Sequence, residues 1–265
     1  MHKDLCVSCC RMAEGGRPQP DQEVCLLGHS YIRRVYEHYL QESKQDPTKL
    51  FTVDGRVVRV RASPQGGASA VDSNEQTSVF FLARLALLRS PTPVAFFVHI
   101  GECDVADRRS GLELLSPDVI AQHIKNLVNL LLSRGVRFVV VGQLVVWPRQ
   151  QPFAQNITQV NFLLEEALAS MPCDRVKFWR HRGGFWEGNT YDADGVHLNE
   201  HGLVRYWHSI RQALSFGISR AVAPTPTPVT KPPRKHKRKH SRAEWEASES
   251  DRRSAAADWP GWRHE

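Results

Sequence analysis

A chain of 265 residues with 41% hydrophobic and 24% charged residues has enough apolar side chains for a buried core, which excludes a wholly disordered polypeptide. No apolar run reaches the ~18 residues a membrane-spanning helix needs, and Met1 to Pro20 has no apolar signal-peptide core, so an intracellular protein, cytoplasmic or nuclear, is expected. The net charge of +7 is concentrated in Lys231 to His240 (KPPRKHKRKH), which holds six Lys/Arg and no acid, so the rest of the chain is near neutral and offers no broad nucleic-acid-binding face.

Residues 1–21 read as a flexible leader. Glu23 to Leu27 is a short apolar strand, and Tyr31 to Glu42 a helix whose Ile32, Val35, Tyr36, Tyr39 and Leu40 form one apolar stripe. Arg56 to Arg61 alternates charge and valine as a second strand, and Gly66-Gly67 turns the chain into a helix over about 77–89. Pro93 to Ile100 (PVAFFVHI) is a near-continuous apolar run, as in a strand buried on both faces. Ser116-Pro117 opens the next helix and Gly135 closes it. Val136 to Val141 is a strand, 153–170 a helix, Arg175 to Trp179 a strand, and 199–216 the last helix.

Strands alternating with helices predict a three-layer α/β/α sandwich around a five-stranded parallel sheet. After Gly217 the composition changes. Ala223 to Pro233 is proline-rich and extended, and the basic tract and a charged tail follow. The expected organisation is therefore a leader at 1–21, one domain at 22–217 and a disordered tail at 218–265. The basic tract fits weak nucleic-acid or import-receptor binding, salt-sensitive in the first case.

Six cysteines fit a reducing compartment as free thiols. Cys6-x-x-Cys9, with Cys10 beside it, has no second pair at zinc-finger spacing, so neither a structural metal nor a cofactor is expected.

The chemistry concentrates in two places. Ser30, in Gly28-His29-Ser30, lies between a buried strand and a helix, where backbone amides favour an oxyanion. Asp194-Gly195-Val196-His197 brings a carboxylate and an imidazole into one tight loop. A serine hydroxyl needs a base, and that base needs a carboxylate to fix its tautomer. The bland alternative makes Ser30 a helix cap and Asp194 a turn residue; the presence of both groups in this order favours chemistry.

Four blocks occur in order: Gly28-His29-Ser30, Gly66-Gly67, Gly101-Glu102-Cys103-Asp104 and Asp194 to His197. With them the chain resembles the SGNH, or GDSL, hydrolase superfamily over roughly residues 22–217. The resemblance implies a flavodoxin-like sheet of order 2-1-3-4-5. It implies Ser30 as nucleophile, His197 as base and Asp194 as its orienting carboxylate, in preference to the nearby Asp192. It also implies an oxyanion hole from the amides of Ser30 and Gly67 (Gly66 as fallback) and a third donor at position 103. Two departures stand out. His29 replaces the family's usual aspartate and puts an imidazole beside the nucleophile as an alternative base, but adjacent side chains after a strand tend to diverge, so a loop-packing role is expected for it. Cys103 replaces the asparagine donor, and a thiol donates weakly. Two other histidines are weighed: His99 as a core residue, and His201, one turn from His197, as half of a metal pair.

The resulting expectation is an esterase cleaving an acyl or acetyl group from a small ester, slowed by Cys103. The alternative is a catalytically impaired binding domain, associated with nucleic acid or a mobile element.

Overall fold

The computed structural model describes residues 22–40, 51–53, 56–71, 78–88, 91–105, 115–147, 153–182 and 188–222. The leader with Cys6, Cys9 and Cys10, the proline-rich segment and the Lys231 to His240 tract lie outside the described residues.

The strands are β1 (Gln22–Gly28), β2 (Phe51–Val53), β3 (Arg56–Pro64), β4 (Ala95–His99), β5 (Phe138–Gly142) and β6 (Val176–Trp179). The helices are α1 (Ser30–Val35), α2 (Val79–Leu87), α3 (Glu102–Val105), α4 (Pro117–Ser133), α5 (Phe153–Ala169) and α6 (Glu200–Val222). A π-helical turn, Tyr36–Leu40, continues α1. The sheet order is β2-β3-β1-β4-β5-β6, and every pairing is parallel except β2 with β3. The five parallel strands therefore follow the expected 2-1-3-4-5 order. What the sequence did not reveal is β2, a three-residue antiparallel strand on the edge.

The layers follow from burial. Every residue of β4 and β5 is buried, so the centre of the sheet needs cover on both faces. Helices α1 and α6 pack together on the sheet, while α2, α4 and α5 pack against one another, completing three layers. Helix α4 buries Ile120, Ile124, Leu127, Val128 and Leu131. It ends at Gly135, φ 89°, where Val136 N–H bonds Leu131 O and Gly135 N–H bonds Leu132 O, each at 3.2 Å. This is a glycine-terminated cap in the left-handed conformation. Ser116 stands at the N-cap, but its side chain makes no capping bond.

Helix α6 corrects the expected end at 216. It passes through Gly217 to Val222, with Ile218 and Ala221 buried. The boundary drawn at 217 therefore falls inside a helix. Gly217 does not stop the helix because the sheet lies close beneath it: a Cβ there would stand 3.2 Å from Val140 and 3.4 Å from Phe138. At the other end Asn199 caps α6, its Oδ1 accepting from Gly202 N–H at 2.9 Å.

Candidate active site

Parallel strands end together, so the segments after β1, β3, β4 and β5 share one edge of the sheet, the usual ligand edge of such folds. Ser30 is the first residue of α1 and is half-buried. Two residues earlier, Gly28 pairs with His99 across β1 and β4, and a Cβ on it would stand 2.2 Å from His99 O. Glycine is thus required to let the strands close beneath the serine.

The Asp194 loop folds around its own carboxylate. Asp194 Oδ1 accepts from the amides of Val196 and His197 at 2.9 Å each, and Oδ2 takes His197 Nδ1 at 2.6 Å. Gly195 makes the turn at φ 68°. Burial alone would raise the Asp194 pKa, but these donors outweigh it and hold the pKa down at about 2. The ionised carboxylate fixes the tautomer, with Nδ1–H donating and Nε2 left to exchange protons. Asp192 is occupied elsewhere, taking Arg34 Nη1 at 2.8 Å.

Helix α1 holds this loop. Tyr31 donates to Val196 O, and Arg34 also donates to Leu198 O at 3.0 Å. The Tyr31 and His197 rings meet edge to face with centroids 6.4 Å apart. Trp147 Nε1 bonds the Tyr31 hydroxyl from the other side at 2.9 Å. The Asp194–His197 loop is tied to α1, the helix that Ser30 begins, but no hydrogen bond joins Ser30 and His197 among the described residues. His201 is exposed on α6, whereas His197 lies in the loop before the helix, so the two do not form a helical metal pair.

The second and third blocks are tied to each other. Gly67, at φ 71°, needs the left-handed conformation, and its amide has no partner among the described residues. Asp104 is buried and collects Ser69 Oγ, Ala70 N–H at 2.9 Å and Val71 N–H at 3.2 Å, anchoring the glycine loop to α3. Burial pushes its pKa up, only partly offset by those bonds. Cys103 is a half-buried thiol outside any disulfide, close enough to Tyr31 to act electrostatically on its hydroxyl.

His29 does not pack as expected. Its side chain turns back toward its neighbour: Nδ1 lies 3.2 Å from Ser30 Oγ, and Nε2 lies 2.7 Å from Glu102 Oε2. Glu102 is fully buried, and its Oε1 also takes His99 Nε2 at 2.6 Å and Val145 N–H at 2.7 Å. Asn161 fixes the segment that carries Val145 by bonding both Leu144 N–H and Leu144 O. Burial alone would raise the Glu102 pKa, but His99 and His29 pull it well below the usual carboxylate range. His99 is a core residue as expected, although its Nδ1 is buried without a partner. Sequence reasoning missed the role of Glu102; the one available signal was an acidic residue directly after a buried strand.

The donor atoms of His29, His99 and Glu102 lie within 4.8 Å of one another, close enough for a three-ligand metal set. Their nitrogen–carboxylate distances are those of charge-assisted hydrogen bonds, so the group is satisfied as a proton-bonded cluster.

No family model and no curated protein matches the sequence. Solved structures do. A carbohydrate esterase of family 3 from Talaromyces cellulolyticus aligns with TM-score 0.53 at 16% identity, covering 75% of this chain and 98% of its own. A lipolytic protein of the G-D-S-L family from Veillonella parvula gives 0.53 at 16%, covering 72% and 96%. A carbohydrate acetylesterase from Sinorhizobium meliloti gives 0.54 at 14%, covering 74% and 99%. The chain thus has the fold of the SGNH, or GDSL-type, esterases, the α/β/α class its ordered blocks imply. No helix among the described residues is long and apolar enough to cross a membrane.

Proposed function

We propose that this protein is an ester hydrolase that removes a small acyl or acetyl group through Ser30, His197 and Asp194. The observation that carries the reading is the docking of the Asp194–His197 pair onto α1, the helix that begins with Ser30. Ser30 Oγ attacks the acyl carbon, His197 moves protons at Nε2, and Asp194 holds the imidazole. The Ser30 and Gly67 amides serve the oxyanion. The fold neighbours include a carbohydrate esterase and a carbohydrate acetylesterase, in keeping with this substrate class.

Cys103 in place of an amide donor makes the enzyme slow, since losing one oxyanion donor costs roughly 100- to 1,000-fold in turnover. Hydrolysis of short acyl nitrophenyl esters tests the reading; activity abolished by Ser30→Ala supports it, and activity indifferent to that change removes Ser30 from the chemistry.

A second reading, a binding domain on the same fold, is favoured by the lack of a Ser30–His197 hydrogen bond and by Cys103. Under either reading we propose that Lys231 to His240 contributes nuclear import or salt-sensitive nucleic-acid affinity. Loss of either on removal of residues 224–265 would support that assignment.

A further inference from the structure

We propose that Ser30 gives its proton to His29, leaving His197 to serve the departing alcohol and the incoming water. The inference rests on the ester-hydrolase reading and divides its proton transfers between two histidines.

An ionised carboxylate can only accept hydrogen bonds, so His29 Nε2, 2.7 Å from Glu102 Oε2, must carry the proton. In the neutral ring Nδ1 is then bare, and it lies 3.2 Å from Ser30 Oγ, which donates to it. No other hydrogen bond to Ser30 Oγ is present among the described residues. The chain Ser30–His29–Glu102 is a hydroxyl, an imidazole and a carboxylate in series, with the two ring nitrogens exchanged relative to the His197–Asp194 pair. Glu102 is held by His99 Nε2 and Val145 N–H, so it cannot turn away. Both His29 and Glu102 are closed to solvent, so an imidazolium formed at His29 is stabilised by a desolvated carboxylate. A ring that buried cannot follow a leaving group. His197, with its side chain 31% exposed, can.

The proton count closes. His197 must enter this sequence with a proton on each ring nitrogen, Nδ1–H against Asp194. As Ser30 Oγ bonds to the acyl carbon, its proton passes to His29 Nδ1, and the carbonyl electron pair moves to oxygen. When that pair returns, the bond to the alcohol oxygen breaks, and the alcohol takes a proton from His197 Nε2. Water then attacks the acyl-enzyme and gives a proton to His197. Ser30 leaves as its Oγ recovers the proton from His29. Both histidines end as they began, and only ester and water are consumed.

A fluorophosphonate separates the two roles, because fluoride leaves without needing a proton. The full-length protein is assayed for the rate of Ser30 phosphonylation by intact mass and for turnover of an alkyl acetate. In His197→Gln, labelling falls by less than about 10-fold while turnover falls by at least about 100-fold. In His29→Gln, whose amide can still donate to Glu102, both fall by about 100-fold at an unchanged thermal midpoint. Glu102→Gln behaves like His29→Gln, and the double variant is no worse than either, since the two act as a unit. If His29→Gln unfolds, the His197→Gln arm decides alone: fast labelling supports the inference and lost labelling overturns it. Wild-type labelling kept in His29→Gln but lost in His197→Gln overturns the inference and leaves the hydrolase reading intact. A wild type that neither labels nor turns over defeats both.

Discussion

Two carboxylate–imidazole pairs, one in contact with Ser30 through His29 and one in the loop docked on α1, differ in their access to water. The Asp194–His197 pair is open, with side chains 48% and 31% exposed, and its carboxylate is satisfied by its own tight loop. The Glu102–His29 pair is dry, with both side chains at 2% exposure or less, and its carboxylate is satisfied from β4, the segment after β5 and the residue before α1. An open pair is inexpensive to keep and free to exchange protons with substrate and solvent. A dry pair is structural as well as chemical, because breaking it strands a buried charge. The same two functional groups therefore give different expected mutational signatures.

The largest effect is expected at the open pair, in activity. Asp194→Asn lets His197 take the wrong tautomer and should lower turnover by roughly 10,000-fold, with little change in thermal midpoint. A stability loss as large as that at the buried pair would erase the distinction. The next effect is at the dry pair, in stability. Glu102→Leu leaves His29, His99 and the Val145 amide without their acceptor and should cost about 3–5 kcal/mol in chemical denaturation. A neutral result would mean that the cluster relaxes freely.

The sequence revealed the open pair because all of its parts lie within one four-residue loop. It concealed the dry pair because Glu102 meets His29 across 73 positions and two strands. The expectation that adjacent side chains diverge failed at His29, since the buried carboxylate supplies what turns its ring back over Ser30. The same contrast holds for the fold. Continuous apolar runs such as Ala95–His99 disclosed the sheet, and glycine and proline bounded α4. Strand β2 was illegible because three residues carry no periodicity, and the end of α6 was misplaced because Gly217 serves packing rather than termination.

Cys103→Asn sharpens the comparison from the oxyanion side. An amide donor at this half-buried position should raise turnover by about 100-fold, with less effect on KM. No change with an intact fold would mean that position 103 does not reach the oxyanion.

The smallest effect is in pH dependence. Burial, with His99 nearby, pushes the His181 pKa down to about 3. The unfolded chain takes up that proton near 6.5, so the contribution is complete above 6.5 and fades as pH falls toward 3, reaching roughly 2 kcal/mol of loss by pH 5. Asp194 behaves differently: its depressed pKa contributes above the ordinary carboxylate range and is lost only as pH falls through about 4 toward 2. Denaturation midpoints between pH 7 and 5 should therefore fall less steeply in His181→Gln than in wild type, and in parallel with wild type in Asp194→Asn.

The central claim is that Ser30 is an activated nucleophile, and intact-mass detection of its phosphonylation tests it most directly. One adduct is expected on the wild-type chain, mapped to Ser30 and missing from Ser30→Ala at equal thermal midpoint. A folded wild type that stays unmodified at saturating reagent, or an adduct that persists in Ser30→Ala, would contradict it.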